Sequence, residues 1–235
     1  MSFELLSILA VVTFLSAFVQ GSLGIGFALI VAPVVGMLKP ELLPVTLLLL
    51  MLPLNLHVAV REREHVDWPG ATWITVGRLA GTFAGLWLLA ALSLDQLDLA
   101  VGVFTVVAAG AALVAPPFTP NRPSALGVGL FTGITETATG IGGPPLALLY
   151  QHAKAPVLRA TVALCFLVGE VMSLMVLAIS GRLGSEQLLA ALYLAPAVLL
   201  GSAVSRLAHH RIAGRGLRLA VLSFAIVSGL FLIVR

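Results

Sequence analysis

Six long apolar runs occupy most of this chain and limit what it can fold into. Each has close to the ~20 consecutive apolar residues that a helix needs to cross the hydrocarbon core of a bilayer. Short polar or proline-containing segments, such as REREHVDWP at 61–69, separate the runs. The runs lie at residues 41–60, 69–93, 97–115, 160–180, 186–206 and 214–234. The sequence therefore predicts six membrane-spanning helices.

Composition agrees with this prediction. Hydrophobic residues make up 60% of the 235 residues and charged residues only 10%, whereas soluble domains average about 45–50% and about 25%. The apolar runs leave no room for a sizeable soluble domain. We predict an all-α polytopic integral membrane protein that is surrounded by the lipid bilayer and has no nucleic acid as a partner.

Residues that hold cofactors are scarce in the sequence. The single cysteine, Cys165, excludes an internal disulfide and a multi-cysteine metal cluster. The sequence contains no Walker motif, so ATP is not the direct energy source through this chain. We expect neither a metal nor a cofactor.

Two further apolar regions are interrupted by glycines, and their arms are short. A helix of 13 residues rises only ~20 Å, which is less than a full crossing. Broken backbone at membrane depth is tolerated only where protein or an aqueous cavity shields it from lipid. We therefore predict two re-entrant hairpins, at 4–38 and 124–152. Their arms are residues 4–20, 26–38, 124–136 and 144–152.

An internal repeat relates the two halves of the chain. A shift of 116 residues superimposes Gly24-Ile25-Gly26 on Gly140-Ile141-Gly142, Pro40 on Pro156, and Gly85 on Gly201. Each half, 1–115 and 116–235, then consists of one hairpin and three crossings. Because three crossings are an odd number, we predict two inverted repeats, as in many secondary transporters.

The charges predict the orientation of the chain in the membrane. If the loop at 206–218 is cytoplasmic, nine basic residues lie inside and three outside, which is a positive-inside bias. Both termini are then periplasmic. The inner residues are Arg61, Arg63, Arg122, Lys154, Arg159, Arg206, Arg211, Arg215 and Arg218, and the outer ones are Lys39, Arg182 and Arg235.

Three ionisable residues fall inside apolar segments, namely Arg78, Glu136 and Glu170. At the bilayer centre such a group costs at least ~2.5–3.5 kcal/mol, so it is rare without a partner or a function. Arg78 could form a structural ion pair with one glutamate. Alternatively, a glutamate takes up and releases a proton during transport, and Arg78 binds an anion or orients the glutamate. Asn55 lies near one end of its run, where capping or snorkelling explains it about as well as a gating role.

A second helix is predicted to begin just after each glycine break, near Gly26 and near Pro144. Helix starts carry free N–H groups and the positive end of the helix dipole, so two of them meeting at mid-membrane would form an anion site. The alternative is that glycines permit tight helix packing, which we prefer for Gly77, Gly81 and Gly85 because they are spaced by four. The candidate site comprises Gln20, Gly24, Ile25, Gly26, Phe27, Glu136, Thr137, Gly140, Ile141, Gly142 and Gly143, with Arg78 and Glu170 in coupling or supporting positions.

The duplicated segments GSLGIGFALIVAP (21–33) and TATGIGGPPLALL (137–149) resemble the TauE/SafE family of sulfite exporters and anion permeases. The resemblance covers essentially the whole chain. It implies a secondary transporter in the bacterial inner membrane that exports sulfite, sulfoacetate or other organosulfonates and is coupled to an ion gradient. The family tends to have a Gly-Gly-Gly run, where this chain has Phe27 in the first copy and Pro144 in the second.

Two other classes of function are compatible with the sequence. An intramembrane enzyme acting on lipid phosphates could use opposed hairpins, but it would need Ser, Arg or His near the hairpin tips. The tips contain no histidine and no serine–arginine–serine cluster. A cation carrier could use the two glutamates, although helix N-termini aimed at the site would repel a cation.

Overall fold

The computed structural model describes residues 3–24, 26–114, 120–212 and 215–234, with the backbone alone at 206–212, 215 and 218. The regular structure in these ranges is entirely helical. Two short 3-10 turns, Pro40–Leu42 and Arg63–His65, accompany ten α-helices. The helices are α1 (Phe3–Leu23), α2 (Phe27–Leu38), α3 (Val45–Arg61), α4 (Trp68–Ala91), α5 (Leu94–Val114), α6 (Arg122–Thr139), α7 (Gly143–Leu149), α8 (Ala155–Ile179), α9 (Ser185–Ile212) and α10 (Arg215–Val234).

Five of the described helices are long and apolar enough to cross a membrane: α1, α4, α5, α8, and α9 over Ser185–Ser205. Large apolar side chains such as Phe83, Trp87 and Phe231 are exposed on the outside of the protein. A surface of this kind is typical of a protein that faces lipid. The prediction of an all-α polytopic membrane protein is confirmed.

The first hairpin arm is longer than the sequence analysis predicted. Helix α1 has 21 residues rather than the 17 of 4–20, and it is long enough to span the membrane. Gly21 does not break the helix; instead, a Cβ at this position would overlap with Ser205 of α9, so Gly21 is a packing glycine. The prediction that this arm is too short to cross was wrong because it placed the break three residues too early.

Both breaks begin at glycines with left-handed backbone conformations. Gly24 and Gly26 have φ of 79° and 122°, and Gly140 at the end of α6 has φ of 82°. Side chains with a Cβ disfavour such angles, whereas glycine adopts them readily. Helix α6 therefore ends at Thr139, and α7, with prolines in its first turn, restarts only at Gly143.

The two halves contain corresponding helices that pack in corresponding pairs. Helix α4 packs against α6 and α8, and the equivalent helix α9 packs against α1 and α3. Helices α5 and α10 pack against each other, as do α3 and α8. These pairs correspond when the halves are exchanged, which is compatible with the predicted repeat. The boundary at residue 115 and the opposite insertion of the halves remain predictions.

Contacts between loops define two ends of the bundle. One end joins the α3–α4 connection to the start of α8 through Glu62–Arg159 and Asp67–Thr161. The other end joins the α2–α3 connection to the start of α9 through the ion pair between Lys39 and Glu186. These groupings agree with those of the charge pattern. Which end faces the cytoplasm remains a prediction.

Candidate functional site

A close contact between α4 and α6 sets the geometry of the membrane interior. A Cβ on Gly77 or Gly81 of α4 would overlap with backbone atoms of α6, and one on Gly129 of α6 would overlap with backbone atoms of α4. Facing glycines let two helix backbones touch without intervening side chains. The interpretation of Gly77, Gly81 and Gly85 as packing residues is therefore supported by this contact, which also brings the α4 residue Arg78 alongside α6.

Arg78 forms an ion pair with Glu136 across this interface. The Nη2 of Arg78 lies 2.7 Å from Oε1 of Glu136, and both side chains are 0% exposed. The two atoms are close, but they do not meet the angles of a hydrogen bond. The Nε and Nη1 atoms of Arg78 also have no hydrogen-bond partner among the described residues. The guanidinium thus keeps donors that one carboxylate does not use.

Helix α8 covers the other side of this pair. A Cβ on Gly169 would overlap with the guanidinium of Arg78, so the arginine lies directly on the backbone of α8. The next residue, Glu170, is fully buried and interacts electrostatically with both Arg78 and Glu136. Its Oε1 accepts a hydrogen bond of 2.6 Å from Nδ2 of Asn55 on α3. Three charged side chains and one amide therefore form a single buried cluster.

The second break lies against this charged cluster. The carboxylate of Glu136 occupies the space that a Cβ on Gly142 would need. The backbone N–H of Ile141 donates to the Thr139 hydroxyl at 3.3 Å, which stabilises the turn between α6 and α7. The Thr137 hydroxyl lies 2.7 Å from that of Ser173 on α8, so it connects two helices.

At the first break, a side chain of α1 forms a hydrogen bond with the start of α2. Oε1 of Gln20 accepts a hydrogen bond of 3.1 Å from the backbone N–H of Phe27 at the start of α2. Gln20 corresponds to Glu136 under the 116-residue shift. Each side chain contacts a residue just beyond the break that follows it: Gln20 contacts Phe27, and Glu136 contacts Gly142. The expectation of a free amide at the α2 start is thus corrected for Phe27, because an amide oxygen already satisfies this N–H.

The two breaks meet at one small internal cavity of about 10 Å³, which can hold about one water molecule. The cavity is therefore smaller than an oxyanion with several oxygens. Of the predicted site residues, Gln20, Gly26 and Gly143 line it. Pro144 lines it as well, with Met51 and Phe166.

The other predicted residues lie around this cavity in separate places. Gly24 packs against the side chain of Arg159, and Gly140 packs against Leu47. Phe27 and Ile141 are buried, and Ile25 lies outside the described residues. The site residues thus form two adjoining groups, the cavity between the breaks and the cluster around Arg78. Gly143 lines the cavity, and the preceding Gly142 contacts Glu136 of the cluster.

Sequence reasoning did not assign the hydrogen bond of Asn55, nor the contacts of Arg159. Asn55 is only 3% exposed and contacts Glu170, which does not fit a snorkelling residue at the membrane surface. An amide inside the apolar run LLLLMLPLNLHV was the available signal. Its partner is on another helix, so local sequence did not reveal it.

Broken helices that meet inside a bundle of membrane helices, next to buried charged residues, are found in many membrane transporters. Comparison with family models identifies the group within that class. The model described as "Sulfite exporter TauE/SafE" matches residues 9–232. The chain belongs to this family, so it is a multi-pass transporter and not an enzyme. No curated protein and no solved structure matches the sequence.

Proposed function

We propose that this protein is a secondary transporter that exports small anions, such as sulfite, sulfoacetate or other organosulfonates, across the bacterial inner membrane. The transport is coupled to an ion gradient, and the solute binds between the two helix breaks. The observation that carries the proposal is the buried Arg78, which contacts one carboxylate and has unused donors.

A guanidinium is well suited to recognise an oxyanion. It presents five N–H donors in a planar fork, and two of them can bind two oxygens of one solute. Arg78 uses part of this fork on Glu136, while Nε and Nη1 have no hydrogen-bond partner among the described residues. A buried charge with spare donors is costly for stability alone, so a transport role accounts for it better than a structural one.

The charge balance of the cluster couples anion binding to proton binding. One guanidinium faces two carboxylates, so the fully ionised cluster of Arg78, Glu136 and Glu170 carries one net negative charge and repels anions. Protonation of one carboxylate makes the cluster neutral, and protonation of both makes it positive. Solute and proton therefore bind together. A dianion that moves with one proton still carries a net negative charge, which an interior-negative potential drives outward.

The small volume of the cavity supports a closed conformation of the transporter. About 10 Å³ does not accommodate sulfite, so α2 and α7 must separate for the solute to bind. Displacement of the Gln20 oxygen from the Phe27 N–H would make this donor available to the solute. The two half-helices are short, and each follows a glycine hinge, which suits a local movement of this kind.

The test is uptake of labelled sulfite into proteoliposomes, with and without an imposed pH gradient. Because solute and proton bind together, we expect a gradient that is acidic outside to accelerate uptake. We expect Arg78→Gln to abolish uptake. Glu136→Gln and Glu170→Gln should each reduce the dependence on the gradient. Glu64→Gln, at an exposed glutamate in a loop turn, is the matched control and should behave like the wild type.

Three outcomes would contradict the proposal. If neither sulfite nor organosulfonates move, the anion assignment is wrong. If a monovalent cation moves instead and its flux needs both glutamates, the protein is a cation carrier, which the net negative charge of the fully ionised cluster would then explain. Gradient-driven sulfite flux that survives both glutamate substitutions would remove the proton coupling.

A further inference from the structure

A second group of charged residues lies at the end of the bundle that contains the α3–α4 connection. Glu62 follows the last residue of α3 and binds two arginines. Its Oε1 lies 2.5 Å from Nη2 of Arg61. Its Oε2 accepts a hydrogen bond of 3.1 Å from Nε of Arg159, near the start of α8, and lies 3.1 Å from Nη2 of the same guanidinium. We call these three residues the charged triad.

The triad lies at the mouth of a crevice that leads inward. Arg61 and Arg159 line a crevice of about 40 Å³ together with Gln20, Gly24 and Asn55. The arginine side chains are 46% and 35% exposed, whereas Gln20 and Asn55 at the other end are buried. Gln20 also lines the cavity between the two breaks, and Asn55 donates a hydrogen bond to Glu170. Residues that line the crevice thus also contribute to the cavity between the breaks and to the cluster around Arg78.

We propose that Arg61 and Arg159 form an anion-capture site at this end of the bundle, in which Glu62 holds the place that the solute takes. This inference rests on the proposed function, since it describes how the same solute reaches the site between the two helix breaks. Two guanidiniums against one carboxylate leave a net positive charge at the mouth. A sulfite or sulfonate group carries oxygens that can replace those of the Glu62 carboxylate between the two arginine forks.

The arrangement of the triad differs from that of an ordinary surface ion pair. Exposed pairs contribute little to stability, but here the Glu62 side chain is only 10% exposed and both of its partners line the crevice. The stem of Arg159 also packs on Gly24, where a Cβ would come within 3.3 Å of its Cγ. Release of Arg159 from Glu62 would therefore act directly on the first helix break. Capture of the solute and opening of the crevice are then one event.

The experiment compares sulfite kinetics in inside-out and right-side-out membrane vesicles. Arg159→Gln should raise the KM about tenfold, the loss expected for one charge-assisted hydrogen bond, from the triad side only. Arg159→Lys keeps the charge without the fork and should give an intermediate KM. Glu62→Gln removes the competing carboxylate and should lower the KM from the same side. Arg63→Gln and Glu64→Gln, on the adjoining exposed turn, are the controls.

Separate outcomes distinguish the two proposals. If wild-type vesicles move neither sulfite nor organosulfonates, the proposed function fails and the capture site fails with it. If wild-type vesicles transport sulfite and the triad variants change KM equally from both sides, the capture site alone is wrong. The same conclusion follows if the triad variants change only Vmax and the melting temperature. A purely structural ion pair that holds α3 against α8 would have these effects. Effects of equal size in Arg63→Gln would also overturn it.

Discussion

Arg78 and Glu136 form an ion pair with an Nη2–Oε1 distance of 2.7 Å, and both side chains are fully buried among helices of a membrane protein. One residue belongs to the first half of the chain and the other to the second half. Glu136 also covers Gly142 at the second break, and Arg78 lies on Gly169 of α8. A change at this pair is thus transmitted to a helix break and to a third helix.

Removal of one member of the pair should destabilise the protein and stop transport. Arg78→Gln leaves Glu136 buried without its counter-ion, and breaking a buried pair in this way costs about 3–5 kcal/mol. The double variant with Arg78→Gln and Glu136→Gln should recover most of the stability without recovering sulfite transport. The measurements are thermal unfolding in detergent and proteoliposome uptake. Recovery of uptake in the double variant would show that the pair is purely structural.

Gly169→Ala should displace Arg78 without altering any charged residue. The new Cβ would overlap with the guanidinium, which must move away from α8. Because a small misplacement of a binding group has a large effect on rate, we expect Vmax for sulfite to fall at least about tenfold. Gly127→Ala in α6 is the control, since a Cβ at Gly127 meets nothing within 4 Å. Equal Vmax in the two variants would contradict the role of Arg78.

Gly81→Ala should separate α4 from α6. Alanine is favoured over glycine inside a helix by roughly 0.5–1 kcal/mol, but here its Cβ would overlap with the Leu130 carbonyl of α6. We expect a net destabilisation of about 1–3 kcal/mol, as for overpacked interiors. Gly110→Ala, with open space around its Cβ, should be neutral or stabilising. Thermal unfolding of both variants tests this, and a Gly81→Ala protein as stable as Gly110→Ala would argue against close backbone packing.

Gln20→Leu should destabilise the first break. The Phe27 N–H would lose its acceptor, and a buried unsatisfied donor costs about 1–3 kcal/mol. Ser22→Ala is a suitable control because the Ser22 hydroxyl donates to the Phe18 carbonyl within α1. Unfolding of the two variants in detergent should show the larger loss for Gln20→Leu. Equal stabilities would mean that Gln20 does not cap α2.

Acidification should weaken the charged triad. Partial burial raises the pKa of Glu62, but hydrogen bonds and the charges of Arg61 and Arg159 outweigh this and hold the pKa below its ordinary 4.5. Because the folded-state pKa is lower than the unfolded one, the carboxylate stabilises the fold above pH 4.5, and this contribution is lost as the pH falls through the folded-state pKa. The melting temperature of the wild type should fall more steeply below pH 4.5 than that of Glu62→Gln. Parallel curves for the two proteins would contradict this.

Much of the fold could be predicted from local sequence. The apolar runs correspond to helices α3, α4, α5, α8, α9 and α10. The glycine segments mark the two breaks, since the positive φ angles at Gly24, Gly26 and Gly140 are ones that glycine favours. The sequence predicts too short an α1 because a glycine that packs against another helix looks the same as a glycine that ends a helix. Gly21 packs against α9 and does not end α1.

The sequence by itself determined that the chain lies in a membrane, where its helices are interrupted, and which three charged residues are buried, because hydropathy and glycine content are local properties. Only the tertiary structure decided which of these groups meet. Arg78 binds Glu136, Asn55 binds Glu170, and Arg159 binds Glu62 across distant parts of the chain. The physical reason is that such partners are selected by the rotation and separation of packed helices. For Arg78 and Glu136, glycines on α4 and α6 set these quantities jointly, and no single segment encodes them.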